Sequence, residues 1–137
     1  MELYEAQQRA GTEMARLLVA IARDLGTGHI GSEHLAILAV EGAGGLAVLS
    51  GLPRERLVMA LRAPCGLQDV PVERPTPTTR TQRLITTSLV IAEMRGHTVP
   101  TASDIVAALL NEPTTFAWQA LAAVGVTPRS IERAMSR

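Results

Sequence analysis

The stretch GHIGSEHLAIL, residues 28–38, places His29, Glu33 and His34 within six positions. Imidazole nitrogens and a carboxylate are the ligand types of a zinc site and the working groups of acid–base catalysis. The spacing His-x-x-x-Glu-His misses by one residue the His-x-x-Glu-His of inverted zinc proteases. His29 precedes a helix start expected at Ser32, and neighbours on a helix such as Glu33 and His34 point about 100° apart. A third ligand at helical spacing is lacking, and the single cysteine, Cys65, is remote in sequence. Metal or acid–base chemistry therefore ranks below two other readings. One is a helix start whose carboxylate favours the positive end of the macrodipole by ~0.3–1 kcal/mol; the other is an ion-reading site centred on Glu33. No catalytic residue, metal or cofactor is assigned.

Other chemistries are narrowed by residue type. All 13 basic residues are Arg, so the Lys of a P-loop and the amine of a Schiff-base enzyme are both missing. No G-x-S-x-G elbow occurs, and no base neighbours Cys65 in sequence, which reads as an idle thiol. Basic and acidic totals are equal, arguing against a general attraction to nucleic acid or membrane. Arg129, Arg133 and Arg137 form a stripe with Glu132 beside it, read as a solvated helix face. The rival reading makes TPRSIERAMSR a DNA-recognition helix, against which the net neutrality counts. Phe116 and Trp118 lie two apart and cannot face the same way. One belongs in the core, and an exposed Trp118 would anchor a bound peptide. With no signal peptide, no span of ~20 apolar residues and no cysteine pair, the chain is expected to be soluble and cytoplasmic.

These side chains must be carried by helices. Apolar residues make up 47% while Trp, Tyr and Phe occur once each, so Ala, Leu, Val and Ile fill the core, which favours helix packing over a β-sandwich. Met14, Leu17, Leu18, Ile21 and Leu25 recur at helical spacing from about Glu2, and Gly26 and Gly28 end that helix. Ser32 is expected to cap a second helix through Leu35, Leu38 and Val40, stopped by EGAGG at 41–45. A short apolar helix follows at 46–52, then PRERLVMALR with Pro53 in its first turn. Residues 64–77, PCGLQDVPVERPTP, hold four prolines and read as an extended linker.

After the linker the order repeats: a long helix from Arg83 to Arg95, a helix capped by Thr101 with Asp104 three residues on, the short FAWQALAAVGV, and TPRSIERAMSR. Gly26 and Gly96, Ile21 and Ile91, and Leu35 and Ile105 are each 70 positions apart; Gly51 and Gly125, Leu57 and Ile131, and Ala60 and Ala134 are each 74 apart. The change in offset points to a shorter turn at EGAGG. The expectation is a single all-α domain over 1–137: eight helices as two pseudo-twofold-related four-helix repeats, 1–63 and 78–137, joined by the linker at 64–77.

The doubled unit, with LGTGHIGSEHLAILAVEG and VLSGL in the first copy and RGHTVPTASDIVAALLNEP and ALAAVGV in the second, resembles the N-terminal domain of Clp-type AAA+ unfoldases, the ClpC and ClpA kind. The resemblance covers about residues 8–137. It implies a non-catalytic domain that recruits adaptors and substrates to an ATPase ring in protein quality control, standing here either free of that ring or as a piece of a larger protein. Some family members bind phosphoarginine through an acidic residue in each repeat. Carried over, these positions are Glu33 and Ser103, and the threonine near the start of each long helix is Thr78 in the second repeat and falls at Gln8 in the first. The family also takes cyclic-peptide antibiotics through aromatics; one position is Pro77 here and the other matches Tyr4. The implied partners are proteins or peptides: a Clp unfoldase or protease, adaptors or substrates, with phosphoarginine or cyclic peptides as ligands. The alternative is a stand-alone decoy that sequesters such ligands.

Overall fold

The computed structural model describes residues 2–63 and 74–136, and of residues 2–4, 6 and 7 it describes the backbone only. The Tyr4 side chain, Cys65 and Arg137 thus lie outside the described part. That part is eight helices and one two-residue strand pair.

Helix α1 (Glu2–Leu25) buries Ala10, Met14, Leu18 and Ala22, a stripe repeating every four residues. Leu17, expected on that face, lies about 100° round the helix and is 40% exposed. The helix ends as expected: Gly26 takes φ 72° and the next N–H, from Thr27, donates to Ala22 O at 2.9 Å. A left-handed residue there favours glycine because Cβ would strain it. The same geometry closes α5 at Gly96, φ 78°, where His97 N–H donates to Ala92 O at 2.8 Å.

Strand β1 (His29–Ile30) pairs in parallel with β2 (Thr76–Pro77). Pro77 has no N–H, so Thr78 supplies the next bond, donating to Ile30 O at 3.1 Å. The end of the expected linker is therefore a strand docked on the first half of the chain; its residues 64–73 lie outside the description. Helix α5 (Thr79–Met94) starts four residues before the expected Arg83, because the Thr78 hydroxyl accepts the Thr81 N–H at 3.2 Å. Five polar residues, 79–83, separate that cap from the first core residue, Leu84, which hides it from an apolar-periodicity reading.

Helix α2 (Ser32–Leu38) corrects a second expectation, since Gly31 and not Ser32 is its N-cap. Helices α3 (Leu46–Ser50) and α4 (Arg54–Arg62) follow, with Pro53 at the N-cap of α4 rather than inside it. In α6 (Ala102–Leu110) the expected capping box forms: Thr101 Oγ1 accepts the Asp104 N–H at 3.3 Å and Asp104 Oδ2 accepts the Thr101 N–H at 2.8 Å. The chain closes with α7 (Phe116–Ala122) and α8 (Pro128–Met135). Leu46 and Phe116, which open α3 and α7, are still 70 positions apart. The step to 74 therefore falls in and just after α7, not at EGAGG.

The core lies around α2, which packs on α1, α4, α5, α6 and α7. Leu35, Leu46, Leu57, Leu61, Leu84, Leu109, Leu121 and Ile131 meet there, all within 1% of full burial. Gly44, φ 72°, lies so close to α6 that a Cβ would stand 2.8 Å from the Ser103 Cβ. Trp118 is core as well, 3% exposed, with Nε1–H donating to Leu109 O at 2.8 Å, while Phe116 is 69% exposed. The expected peptide anchor is thus a structural tryptophan, and the exposed aromatic is its neighbour two residues away. No helix among the described residues is long and apolar enough to cross a membrane. Trp118→Ala should cost about 3–5 kcal/mol through the cavity and the unpaired carbonyl. Phe116→Ala should cost less than about 1 kcal/mol, both read by urea unfolding.

Candidate functional site

The three suspicious side chains of the first helix start have separate jobs. His34 is fully buried. Its Nδ1 accepts the Gly31 N–H at 2.9 Å, so the ring proton sits on Nε2, which faces Thr27 Oγ1 at 2.9 Å. Thr27 in turn donates to the His29 carbonyl at 3.0 Å. Both ring nitrogens are thus consumed in holding the turn and the helix start, which leaves His34 no lone pair for a metal. Ser32, buried beside it, accepts the Ala117 N–H at 3.0 Å and ties α2 to α7 across 85 positions of sequence.

Glu33 is the remaining one. Its carboxylate folds back over Gly31, where a Cβ would come within 2.8 Å of Glu33 Cδ. Glycine there makes room for the acid. The side chain is 10% exposed, with His29 Nε2 at 3.6 Å from Oε1 and the Ser32 hydroxyl at 3.5 Å from Oε2. These are long contacts, and a carboxylate can accept several more bonds. The start of α5 is laid against Ile30, three residues before Glu33, where the Thr78 N–H donates to Ile30 O. Two of the positions singled out in sequence, Glu33 and Thr78, therefore lie at one end of the strand pair. Ser103 does not join them. It sits at the start of α6, where its hydroxyl accepts from Arg95 Nη1 at 3.1 Å at the opposite end of α5.

Around Ser103 lies a charged cluster that the sequence reading missed. The Asp104 side chain is fully buried; Oδ1 takes Arg95 Nη1 at 3.1 Å and Oδ2 takes His97 Nδ1 at 2.7 Å together with the Thr101 N–H. Burial works to raise the Asp104 carboxyl. The hydrogen bonds from the Thr101 backbone, His97, the Thr101 side chain and Arg95 together outweigh it and hold the group below the ordinary carboxylate range. The one available signal was the capping box; His97, seven residues upstream, is brought in by the turn at Gly96.

A second feature is an open groove of about 1060 Å³ between α1, α5 and β2. Its wall is apolar, from Val19, Ile30, Ile85 and Leu89, and α1 approaches α5 closely at Gly11, where a Cβ would meet Leu89 Cδ1 at 3.7 Å. Arg16, Arg23 and Arg74 stand along it. No protein-family model and no curated protein sequence matches the chain. The groove, the Glu33–Thr78 end of the strand pair and the Asp104 cluster are therefore read from their own chemistry. Arg129 and Arg133 are exposed on α8, consistent with a solvated face.

Replacing Asp104 by Asn removes the charge that Arg95 and His97 are bonded to, at a cost of about 2–3 kcal/mol at neutral pH. Because the folded-state value is depressed, this stabilisation is present above the ordinary carboxylate range and is lost as pH falls through the folded value. Urea unfolding of wild type and Asp104→Asn should show a gap near neutrality that closes in acid. A gap of constant size would contradict the assignment.

Proposed function

We propose that this chain is a non-catalytic module that recognises proteins or peptides, of the kind found at the N-terminus of Clp unfoldases. The observation that carries the reading is the α1–α5 groove, an apolar-walled concavity built from both halves of the chain and bordered by a strand pair. Such a surface suits an apolar peptide segment, with affinity from burial and orientation from a few polar groups.

The pattern of helix pairing supports two repeats about an approximate twofold. A rotation exchanging residues 1–63 with 78–137 swaps α1 with α5, α2 with α6, α3 with α7 and α4 with α8. The α1–α5 and α2–α6 contacts map onto themselves, and α3–α8 maps onto α4–α7. The correspondence is incomplete, since α2 is packed more deeply than α6, reaching α4 and α7 as well. In this reading a client segment binds where the repeats meet and is carried to a protease-coupled unfoldase in the cytoplasm.

Glu33 is a second, separate candidate for reading a ligand, outside the lining of the groove. A guanidinium, free or phosphorylated, can bond the Glu33 oxygens, whose contacts to His29, Ser32 and His34 are 3.5–3.8 Å long, with Thr78 at the same end of the strand pair. The counterpart at Ser103 carries no carboxylate of its own, and Arg95 occupies its hydroxyl. Calorimetry with phosphoarginine should therefore show one site, abolished by Glu33→Ala and unchanged by Ser103→Ala. Two equal sites, or binding that survives Glu33→Ala, would contradict it. Immobilised chain should retain the host's Clp unfoldase or its N-domain ligands from purified mixtures; retention of neither would overturn the wider reading.

A further inference from the structure

We propose that His97 is a phosphoryl-acceptor site, its Nε2 taking the group from a donor with a phosphorus–nitrogen bond, such as a phosphohistidine carried by another protein. The site lies at the start of α6, apart from Glu33 and from the groove lining, and depends on neither of those readings. Asp104 Oδ2 stands 2.7 Å from His97 Nδ1. The Asp104 carboxyl is held below the ordinary carboxylate range, so near neutral pH it can only accept, and Nδ1 carries the hydrogen. In the neutral ring the lone pair is then on Nε2, which has no partner among the described residues. The imidazole side chain is 38% exposed, while the carboxylate behind it is fully buried. An imidazole backed by a carboxylate and open at its other nitrogen is a nucleophile whose tautomer is already chosen.

The surrounding structure is held without this bond. Gly96, φ 78°, and the His97 N–H bond to Ala92 O at 2.8 Å fix the turn. The α6 cap is complete with Thr101, whose N–H and hydroxyl both pair with Asp104, and the other carboxylate oxygen takes Arg95 Nη1 at 3.1 Å. The other two histidines lack the arrangement. His34 is fully buried with both ring nitrogens bonded, and His29 meets Glu33 at 3.6 Å, too long to fix a tautomer in the same way. His97, Thr98 and Val99 are consecutive exposed residues, so a partner's active site can reach the ring. In the transfer, Nε2 attacks phosphorus and the donor's phosphorus–nitrogen bond breaks. The donor nitrogen leaves with the bonding pair and the protons it held. The ring keeps Nδ1–H and takes up a positive charge, which the Asp104 carboxylate balances. Arg95, 40% exposed and bonded to the same carboxylate, is a second cation beside the site for the phosphoryl oxygens.

The test treats the whole chain with potassium phosphoramidate, alongside a synthetic peptide of residues 94–100 that carries the same histidine without Asp104. Tandem mass spectrometry locates the added group, and phosphorus NMR separates the Nε2 isomer from the Nδ1 isomer. The chain should gain its first phosphoryl group at His97, on Nε2, about tenfold faster than the peptide does. His97→Gln should remove that fast addition and leave any slower ones. Asp104→Asn, where circular dichroism shows it folded at neutral pH, should lower the rate to that of the peptide. Reaction of His29 ahead of His97, a product on Nδ1, or a chain no faster than the peptide would each overturn the proposal. A folded Asp104→Asn chain that reacts as fast as the unaltered one would overturn it too. If that variant does not fold, the comparison of chain with peptide decides alone.

Discussion

The structure depends on burying α2, a seven-residue helix whose first three residues are Ser, Glu and His. A helix start carries N–H groups with no partner inside the helix, and here water is shut out from most of that end. Each orphan or polar group must find a protein partner or cost several kcal/mol. His34 answers for Gly31 and Thr27, and Ser32 answers for Ala117 on a distant helix. The tautomer of one imidazole, the position of one hydroxyl and the entry of α7 into the core are in this way a single arrangement. Alterations to it would be felt in every helix that α2 touches.

The start of α6 solves the same problem with different chemistry. Asp104 stands third in its helix, as His34 does, and accepts the N-cap N–H in the same way. A carboxylate brings a charge that imidazole does not, and burying it needs compensation from Arg95 and His97, both partly exposed. The third residue of one helix start is thus a closed-off imidazole, while that of the other is a carboxylate whose partners reach the surface. The acid of the first half, Glu33, sits one position earlier, and among the described residues its contacts to His29, Ser32 and His34 are long, at 3.5–3.8 Å.

Local signals were legible where one residue type decides local geometry. The glycines after α1 and α5 and the Thr101–Asp104 box stand where their chemistry requires, because left-handed backbone and cap bonds are decided within a few residues. The start of α5 was not, since Thr78 is followed by five polar residues that show no apolar period. The assignment of Ser32 as a cap failed because its hydroxyl serves Ala117, and sequence does not announce a partner 85 positions away. Of Phe116 and Trp118, spacing says that one is buried but not which. The choice fell to Trp118 because its indole N–H reaches the Leu109 carbonyl at the end of α6.

Helical class, the glycine-closed helix ends and an electrically neutral chain were written in the sequence, since periodicity, caps and charge are local or summed properties. What only the tertiary structure decided was proximity. Parallel pairing of two dipeptides brings Thr78 onto Ile30, a turn folds His97 onto Asp104, and the packing of α1 on α5 gathers Arg16, Arg23 and Arg74 along one apolar wall. Those meetings follow from how amphipathic helices share a core, an outcome of the whole set of side-chain volumes and buried bonds that no short window of sequence contains.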